Sequence, residues 1–379
     1  MKLKNICIIG PVAPPMGGDA KAIKTLVDSN MYKHIFNTEL LNISDGTMRS
    51  SGRKSLTWGK IKKILQLRRN LKKLIKKEDI TIFYLTIAQS KLGSLRDIIF
   101  LKTILDNKSK ESKIIIHLHG GGFKNHYLSL SKIYKNIIKK YFLQIDTAIV
   151  LSESLVSMFE DIIPLKKIKI VQNCVDNQFL LNEKEFNYKL ENITKKDLFN
   201  ILYLSNMIKS KGYFDVLMAA KLLKENKNIM FCFAGGFPNQ ADENEFLEFI
   251  DEENLTENVK YVGVIDGIEK LELLKASDIF TLPTSFPPEG QPISILEAMN
   301  AGMPIITTNQ GGIGDIIKTG ENGYIIKPNN PNMIASCILQ LIEKRDLFKQ
   351  ISINNRNNIM QMHSEEFYVK SMLDVFDAK

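Results

Sequence analysis

The sequence predicts an α/β protein built from two units, each with a parallel β-sheet covered by helices. The chain has 379 residues, which is long for a single hydrophobic core. Short apolar runs rich in Ile, Val and Phe recur along it and alternate with segments of helical periodicity. Hydrophobic residues make up 44% and charged residues 25% of the chain, which indicates a packed globular protein rather than a disordered one.

Six strands are predicted in each half of the chain. In the first half they lie at NICIIG, TELLNI, ITIFYLTI, KIIIHLH, DTAIVLS and IKIVQN. In the second half they lie at FNILYLS, NIMFCFAG, VKYVG, DIFTLP, PIITTN and GYIIKP. This repeated strand and helix rhythm predicts two Rossmann-like units.

A charged stretch at 182–197, NEKEFNYKLENITKKD, shows no strand pattern and is interpreted as a linker or an irregular helix. We therefore expect an N-terminal domain at 1–181 and a C-terminal domain at 182–361. The pattern after Pro331 is helical to the end of the chain. The last helix, at about 362–379, is expected to pack back on the first domain.

Cysteine usage and hydropathy indicate a protein of a reducing compartment. The cysteines lie far apart, without a CxxC motif or a Cys/His cluster: Cys7, Cys174, Cys232 and Cys337. The apolar run NICIIG is too short for a signal peptide and is interpreted as the first strand. Since no stretch approaches about 18 apolar residues, the protein is expected to be soluble or peripheral.

The most informative segment is SFPPEGQPISILEAMNAGMPIITTNQGGIGD, at 285–315, which contains Glu289 and Glu297. Pro292 suits the first turn of a helix, whose exposed amides would bind an anion. Glu297 would lie inside that helix, placed to accept hydrogen bonds from the vicinal hydroxyls of a ribose. Two isolated glutamates would more simply be a solvated acid and a helix ion-pair partner. Here the flanking strands DIFTLP and PIITTN bring them to the carboxyl edge of a sheet, where ligands bind.

This segment resembles the signature of the large retaining glycosyltransferase family four, which has the GT-B fold of two Rossmann-like domains whose parallel sheets face each other across a cleft. The resemblance covers nearly the whole chain and is strongest at 201–328. It implies that Glu289 contacts the donor sugar and that Glu297 holds the ribose of the nucleotide. Three further positions would lie against the sugar or the phosphate: Gly290, Gln291 and Ile293.

The segment LSNMIKSKGYFDVLMAA resembles the part of the family that carries a basic pair for the donor diphosphate. Lys211 matches the lysine of this pair, and the partner position, usually arginine, is Asn206. An asparagine offers a neutral dipole where arginine would grip phosphate with a fixed charge. Lys209 is a candidate replacement. Asp315 stands where the family usually has a glutamate after its double glycine.

Two motifs of the first half could contribute to a site. In GPVAPPMGGDAKAIKTL, Gly17 and Gly18 allow the backbone to approach a ligand closely, and the resemblance makes this the loop over donor phosphate and acceptor. In HLHGGGF we expect His117 and His119 on alternate sides of a strand end. The resemblance favours His119 as the residue near the transferred sugar, and His117 is expected to bond to backbone.

The charge is distributed unevenly. Residues 1–190 carry 33 basic and 16 acidic residues, a net charge of +17, whereas the remainder carries 18 basic and 26 acidic residues, a net charge of −8. The segment 59–77, GKIKKILQLRRNLKKLIKK, combines one apolar stripe with many cations. The stripe is expected to pack on the sheet while the cations face an anionic membrane leaflet. Nucleic acid is not an expected partner, because no binding motif or base-stacking platform is present.

Taken together, these features predict a retaining hexosyltransferase that uses a nucleotide-sugar donor, with a UDP-sugar favoured, and a saccharide or lipid-linked saccharide acceptor. The resemblance implies catalysis by Glu289, His119 and Lys211, with neither metal nor cofactor. The protein is expected in the cytoplasm, peripheral on the inner face of the membrane, in synthesis of a surface polysaccharide such as O-antigen or capsule. The alternatives are a non-catalytic subunit that activates a partner transferase, and a sugar-nucleotide epimerase. A dehydrogenase is disfavoured because neither glycine loop has the dinucleotide fingerprint.

Overall fold

A computed structural model of the chain describes residues 3–12, 17–44 and 58–378. The chain divides into two compact units. Unit 1 comprises Met1–Asn173, Pro288–Gln291 and Glu366–Lys379, and unit 2 comprises Cys174–Pro287 and Pro292–Glu365. The chain therefore passes between the units several times, and a four-residue segment of the second half belongs to unit 1.

The sheet of unit 1 has six parallel strands in the order β2-β1-β3-β4-β5-β6. The strands are β1 (Lys4–Gly10), β2 (Phe36–Asn42), β3 (Ile80–Thr86), β4 (Lys113–His117), β5 (Thr147–Val150) and β6 (Ile168–Ile170). Their Ile, Val and Phe side chains are almost entirely buried, as expected for strands covered on both faces, except in β6, where Ile168 and Ile170 are partly buried.

The described residues up to Asn173 form six α-helices, and the fourth contacts both the third and the sixth. They are α1 (Gly18–Asp28), α2 (Asn30–Lys33), α3 (Trp58–Lys77), α4 (Lys91–Leu105), α5 (Phe123–Leu128) and α6 (Lys132–Phe142). The apolar stripe of α3 contributes buried Ile64 and Leu71 to unit 1, as the sequence predicts.

The sheet of unit 2 also has six parallel strands, in the order β12-β11-β10-β7-β8-β9. The strands are β7 (Phe199–Leu204), β8 (Ile229–Ala234), β9 (Val259–Gly263), β10 (Ile279–Leu282), β11 (Ile305–Thr308) and β12 (Gly323–Ile326). This is the strand order of a Rossmann fold, in which the direction of winding reverses between β7 and β10. All twelve strands predicted from the sequence are present, so the prediction of two Rossmann-like units is confirmed.

Seven helices follow in unit 2, and the first of them corrects an expectation. They are α7 (Glu183–Asn192), α8 (Tyr213–Leu222), α9 (Gln240–Glu252), α10 (Gly267–Ala276), α11 (Ile293–Asn300), α12 (Pro331–Glu343) and α13 (Arg345–Met362). The stretch interpreted as linker or irregular helix forms the regular helix α7. The Asn182 side chain accepts from the Glu185 amide (3.0 Å), and the Glu185 carboxylate accepts from the Asn182 amide (2.9 Å). This capping box fixes the start of α7, and Phe186 buries its inner face.

The last helix, α14 (Glu365–Asp377), contacts the other elements of unit 1 through aromatic side chains. The Tyr368 hydroxyl donates to the Ala22 carbonyl of α1 (3.2 Å). The Phe376 ring lies edge-on to Phe36, with centroids 5.6 Å apart, and to Tyr84, with centroids 5.9 Å apart. Because these side chains are buried, α14 covers part of the core of unit 1.

The four cysteines, all within the described residues, form no disulfide. Burial raises the pKa of the Cys7 thiol to about 12 and that of the Cys337 thiol to about 11, so both remain protonated at neutral pH. In the part of the chain that the structure describes, no helix is long and apolar enough to cross a membrane.

Unit 2 contains a lysine whose burial disfavours its charge. The Lys189 ammonium of α7 donates to the Leu274 carbonyl (3.2 Å). The pKa of Lys189 is lowered to about 8, chiefly by burial, with the charge of Asp278 opposing the shift and that of Lys196 adding to it. In the unfolded chain the ordinary lysine pKa returns. Between pH 8 and 10.5 the unfolded state therefore binds more protons, and this lysine makes stability rise with pH.

We predict that Lys189→Met stabilises the protein by about 1–3 kcal/mol at pH 7, because the substitution removes an ammonium that is costly to bury. The stability difference between variant and wild type should shrink toward pH 10, where Lys189 is neutral in the folded state. Denaturant unfolding at pH 7, 8, 9 and 10 measures this. Lys184→Met, at an exposed position of the same helix, is the control and should change little. A constant difference across this pH range would contradict the assignment.

Candidate functional site

Two loops of unit 2 meet where the winding of its sheet reverses. The strands β7 and β10 are neighbours, and the loops that follow them carry Lys211 and Phe286. The Ser285 amide donates to the Ser210 carbonyl (2.7 Å), which joins the two loops. Gly212 has φ +81°, and a Cβ there would lie 2.5 Å from the Pro283 carbonyl oxygen. Only glycine fits this position, and the crevice at such a reversal is where open α/β sheets bind ligands.

The basic side chains of the β7 loop differ in their environment. Lys211 is half-buried, with its ammonium 5.2 Å from the centroid of the Phe286 ring. Lys209 donates to both carboxylate oxygens of Glu245, at 2.9 and 2.7 Å. The hypothesis that Lys209 replaces the arginine charge stays a prediction, and in this structure its ammonium forms an exposed ion pair with Glu245. Asn206 is exposed.

The second glutamate of the motif is buried in unit 2. Helix α11 begins at Ile293. Pro292, predicted to lie in the first turn, is the N-cap residue directly before it. Glu297 lies one turn inside and is only 1% exposed. Its Oε2 is 2.7 Å from the ammonium of Lys270, on α10. Lys270 carries no sequence signal of its own, because nothing in the local pattern of α10 distinguishes it from Lys275, the other lysine of that helix.

A cavity of about 350 Å³ opens at the carboxyl ends of β10, β11 and β12. Its polar lining includes Thr284, Thr308, Asn309 and Lys327. Polar residues stand directly at the ends of the adjacent strands β10 and β11, and this sequence pattern could have located the cavity. Asp315 is exposed, in a short turn that follows β11.

The first glutamate of the motif belongs to unit 1. The segment Pro288–Gln291 lies in that unit, and Glu289 is 6% exposed. The Gly121 amide donates to the Pro288 carbonyl (3.1 Å). Asn173 donates twice to Gln291, from its amide to Oε1 (2.6 Å) and from Nδ2 to the carbonyl (2.9 Å). We call the four-residue segment Pro288–Gln291 the strap.

The strap lies against the glycines of the HLHGGGF motif with no room for side chains. A Cβ on Gly121 would be 2.3 Å from the Glu289 carbonyl oxygen, and one on Gly120 would be 2.8 Å from the Pro288 carbonyl oxygen. On the other side, a Cβ on Gly290 would be 2.5 Å from the His119 carbonyl oxygen. The glycines of both segments are therefore required for this approach, which places Glu289 and Gly290 beside the His119 backbone.

The two histidines of the motif correct an expectation. Their rings stack with centroids 3.8 Å apart, so His117 and His119 lie on the same side and not on alternate sides of the strand end. The physical reason is that residues i and i+2 of an extended chain point the same way. The His117 Nδ1 is paired with the Tyr84 hydroxyl (2.7 Å), not with backbone. Burial, and secondarily the charge of His119, hold the pKa of His117 well below its usual range, so its ring is neutral.

The glycine loop after β1 is described in part, and 13–16 of the predicted motif lie outside the described residues. Gly17 is the N-cap residue of α1, and Gly18 is its first residue. Asp19 is buried in the first turn of α1, close enough for its carboxylate to help raise the pKa of Tyr84. Asp19, Tyr84 and the histidine pair therefore form one polar cluster at the carboxyl edge of the sheet of unit 1.

We predict that Gly121→Ala destabilises the protein by about 1–3 kcal/mol, since the new methyl group meets a backbone oxygen that cannot move aside cheaply. Gly59→Ala is the matched control, because a Cβ there meets nothing within 4 Å and alanine is the better helix former. Thermal or denaturant unfolding measures both. Equal stability of Gly121→Ala and wild type would contradict the close approach of the strap.

Known proteins share this architecture. HepE of Anabaena, solved in complex with UDP and with UDP-glucose, has 14% sequence identity and a TM-score of 0.74, covering 99% of this chain and 100% of HepE. The uncharacterized glycosyltransferase MJ1607 of Methanocaldococcus jannaschii is 26% identical over 231 residues, 60% of this chain and 57% of MJ1607. The N-acetyl-alpha-D-glucosaminyl L-malate synthase of Bacillus anthracis is 24% identical over 265 residues, 70% of this chain and 67% of the synthase.

The C-terminal half of the chain also matches a family model. Residues 185–358 match the model described as glycosyl transferases group 1. The match begins in α7, includes the whole sheet of unit 2 and extends into α13, so it covers the two loops at the sheet reversal and the buried Glu297. This part of the chain, residues 185–358, is therefore similar to the glycosyl transferases group 1 family, and the chain has the GT-B fold that HepE also has.

Proposed function

We propose that this protein is a retaining glycosyltransferase that moves a hexosyl group from a UDP-sugar to a hydroxyl of a saccharide or lipid-linked saccharide. The observation that carries the proposal is the arrangement at the sheet reversal of unit 2. There the Lys211 loop follows one of the two flanking strands, and the loop leading to α11 and Glu297 follows the other. A cation, a helix N-terminus and a buried carboxylate supply the chemistry that a nucleoside diphosphate requires.

In this proposal unit 2 holds the nucleotide. Lys211 pairs with the diphosphate, and the first amides of α11, near Ile293, donate to it. Glu297 accepts hydrogen bonds from the ribose hydroxyls. A charge-assisted contact of this kind contributes about 1.5–3 kcal/mol, and the contribution of Lys211 grows as negative charge develops on the leaving diphosphate. Asp315 would add a hydrogen bond to the donor.

Unit 1 supplies the groups proposed to act on the transferred sugar. Glu289 and His119 would contact its hydroxyls, with Gly290 and Gln291 placing the strap backbone beside it. The neutral, stacked ring of His117 fixes the plane of the His119 ring. Retention then follows from attack on the face from which the diphosphate departs, and the departing diphosphate takes the acceptor proton. Gly17 and Gly18 would bring the N-terminus of α1 to the donor phosphate.

The relatives support a UDP-sugar as donor. HepE was solved with UDP-glucose, and the name of the B. anthracis relative describes the attachment of an N-acetylglucosaminyl group to malate. The matched stretch spans 57% of MJ1607 and 67% of the synthase, so the sugar and the acceptor of this chain are part of the proposal and do not follow from these relatives.

One observation favours a second candidate function, a non-catalytic subunit that activates a partner transferase. Asn206 stands at the position of the usual arginine, and the adjacent Lys209 is paired with Glu245. The proposal then has one cation of this loop, Lys211, for the diphosphate instead of a basic pair. A single cation would suffice for a subunit that binds a nucleotide weakly or not at all.

The function is tested with a panel of UDP, GDP and ADP and their common sugar conjugates. We expect selective thermal stabilisation by UDP and its conjugates, because binding to the folded state alone raises stability. We also expect slow hydrolysis of one UDP-sugar when no acceptor is present. A chain that responds to no nucleotide at millimolar concentration, and hydrolyses none, would instead be the non-catalytic subunit.

Two variants separate binding from chemistry in the same assay. Glu289→Ala should lose donor turnover by a hundredfold or more, on the order of the effect of removing one transition-state contact, while UDP still stabilises it. Lys211→Met should lower the affinity for UDP about tenfold or more, because it removes a charge-assisted contact. The stabilisation by a given UDP concentration should fall accordingly. Unchanged turnover of Glu289→Ala would remove that residue from the proposed mechanism.

We also propose that the outer face of α3 contacts an anionic membrane. Opposite the stripe that packs into unit 1, helical spacing places Lys62, Arg69, Lys73 and Lys76 on one exposed face. Trp58 and Leu65 lie on this same face and are 86% and 44% exposed. Cations interleaved with exposed apolar side chains are typical of a helix lying in a membrane interface. A lipid-linked acceptor would be presented on such a surface.

The chain has one tryptophan, so the fluorescence of Trp58 reports directly on this contact. We expect a blue shift with vesicles of phosphatidylglycerol and none with phosphatidylcholine. Replacing Arg69, Lys73 and Lys76 by Ser should weaken binding at least about tenfold, since each surface cation contributes up to about 1 kcal/mol. The matched control replaces exposed lysines of unit 2: Lys184, Lys227 and Lys260. Equal binding to both lipids, or equal weakening by both triple variants, would contradict the proposal.

A further inference from the structure

A buried ion pair joins α10 to α11 in unit 2. The ammonium of Lys270 lies 2.7 Å from Oε2 of Glu297. The two side chains are 15% and 1% exposed, so neither charge is well solvated. The pair connects two helices that are separated in sequence by residues 277–292, and it places a cation next to the carboxylate proposed to hold the ribose.

Lys270 is held from a second side. Its ammonium lies 4.3 Å from the centroid of the Phe179 ring, a cation–π contact. Phe179 is itself fixed, because it is 1% exposed and its carbonyl accepts a hydrogen bond from the Asn300 side chain of α11 (2.9 Å). The lysine is thus positioned by an aromatic ring and a carboxylate at once, and α11 contributes to both contacts.

Stability alone does not explain such a pair. Removing an ammonium and a carboxylate from water costs several kcal/mol for each ion, and apolar residues of similar volume are often as stabilising. What the pair does supply is direction. A carboxylate with one oxygen against a fixed ammonium has fewer accessible orientations, so its lone pairs point in a narrower range of directions.

We propose that Lys270 is a positioning residue that aims the Glu297 carboxylate at the two vicinal hydroxyls of the donor ribose. This inference rests on the proposed function of unit 2 and extends it to recognition of the sugar of the nucleotide. Lys270 acts through Glu297 and does not touch the reacting atoms. Without it, Glu297 becomes a buried charge that lacks this ammonium, and its carboxylate is less restricted in its orientation toward a diol. Ribose selectivity is therefore the property that Lys270 controls.

The test compares the binding of UDP with that of 2′-deoxy-UDP, which lacks one of the two hydroxyls. Wild type should prefer UDP, by about tenfold for the lost charge-assisted contact. In Lys270→Met the preference should fall toward one. In turnover, KM for the UDP-sugar should rise while kcat at saturating donor stays within a few-fold of wild type. Lys270→Arg keeps a cation at this place and should retain part of the preference.

A matched control lies on the same helix. Lys275 is paired with Glu272 and Glu185 at 2.8 Å, and Lys275→Met should change neither the preference nor KM. Should Lys270→Met fold poorly, the double variant Lys270→Met/Glu297→Gln removes both buried charges. It should regain stability without regaining the preference for UDP.

The outcomes separate this inference from the function on which it rests. A folded Lys270→Met that discriminates UDP from 2′-deoxy-UDP as wild type does overturns the inference. So does a wild type that binds both nucleotides equally, and in that case the transferase proposal stands. A wild type that binds no nucleoside diphosphate overturns both. An equal loss of kcat and affinity, with the preference retained, would identify the pair as structural and would also overturn the inference.

Discussion

The part of the structure on which the rest depends is the close approach between the strap and the glycines that follow β4. The chain leaves unit 2 after Pro287, packs four residues against Gly120 and Gly121, and returns at Pro292. This route is open only because those positions carry no Cβ. Its consequence is that Glu289 and Glu297, separated by seven residues, belong to different units. One short segment of sequence thereby supplies a buried carboxylate to each unit.

The second constraint is the strand order of unit 2. Because β7 and β10 are neighbours with helices leading away on opposite sides, their following loops are left at the crevice instead of being covered by a crossover. The bond from Ser285 to Ser210 and the close contact of Gly212 with Pro283 then fix the two loops to each other. The position of Lys211 is thus determined by backbone geometry. The side chain itself needs only to be long and cationic, whereas Lys209 of the same loop is paired with Glu245 of α9.

The sequence predicts the strands well because each is a short apolar run that parallel sheets bury on both faces. It predicts the motif region well because the two glutamates, the proline and the following glycines lie within one segment. It fails where the determining contact is remote. Membership of the strap in unit 1 depends on glycines about 170 residues away, and the partner of Glu297 lies on another helix. The error over His117 and His119 has a different origin, since residues two apart share a face and the sequence alone was sufficient to show it. The helix at Glu183–Asn192 was also readable from Asn182 and Glu185, whose spacing is that of a capping box.

The charge asymmetry of the chain has a different meaning in each unit. Residues 191–379 have a net charge of −8, yet they contain most of the proposed site for a dianionic diphosphate. Exposed acids such as those of α9 act over about a Debye length of 8 Å at physiological salt, and several are matched locally, as Glu245 is by Lys209. Donor binding therefore depends on the few charges and dipoles directly at the sheet reversal and not on the net charge of the unit. A membrane surface interacts with many cations at once, so there the sum over an exposed helix face matters. The many lysines of α3 therefore bear on the proposed membrane contact, where charges add up over a surface. The acidic net charge of unit 2 does not bear on donor binding, where only nearby charges act.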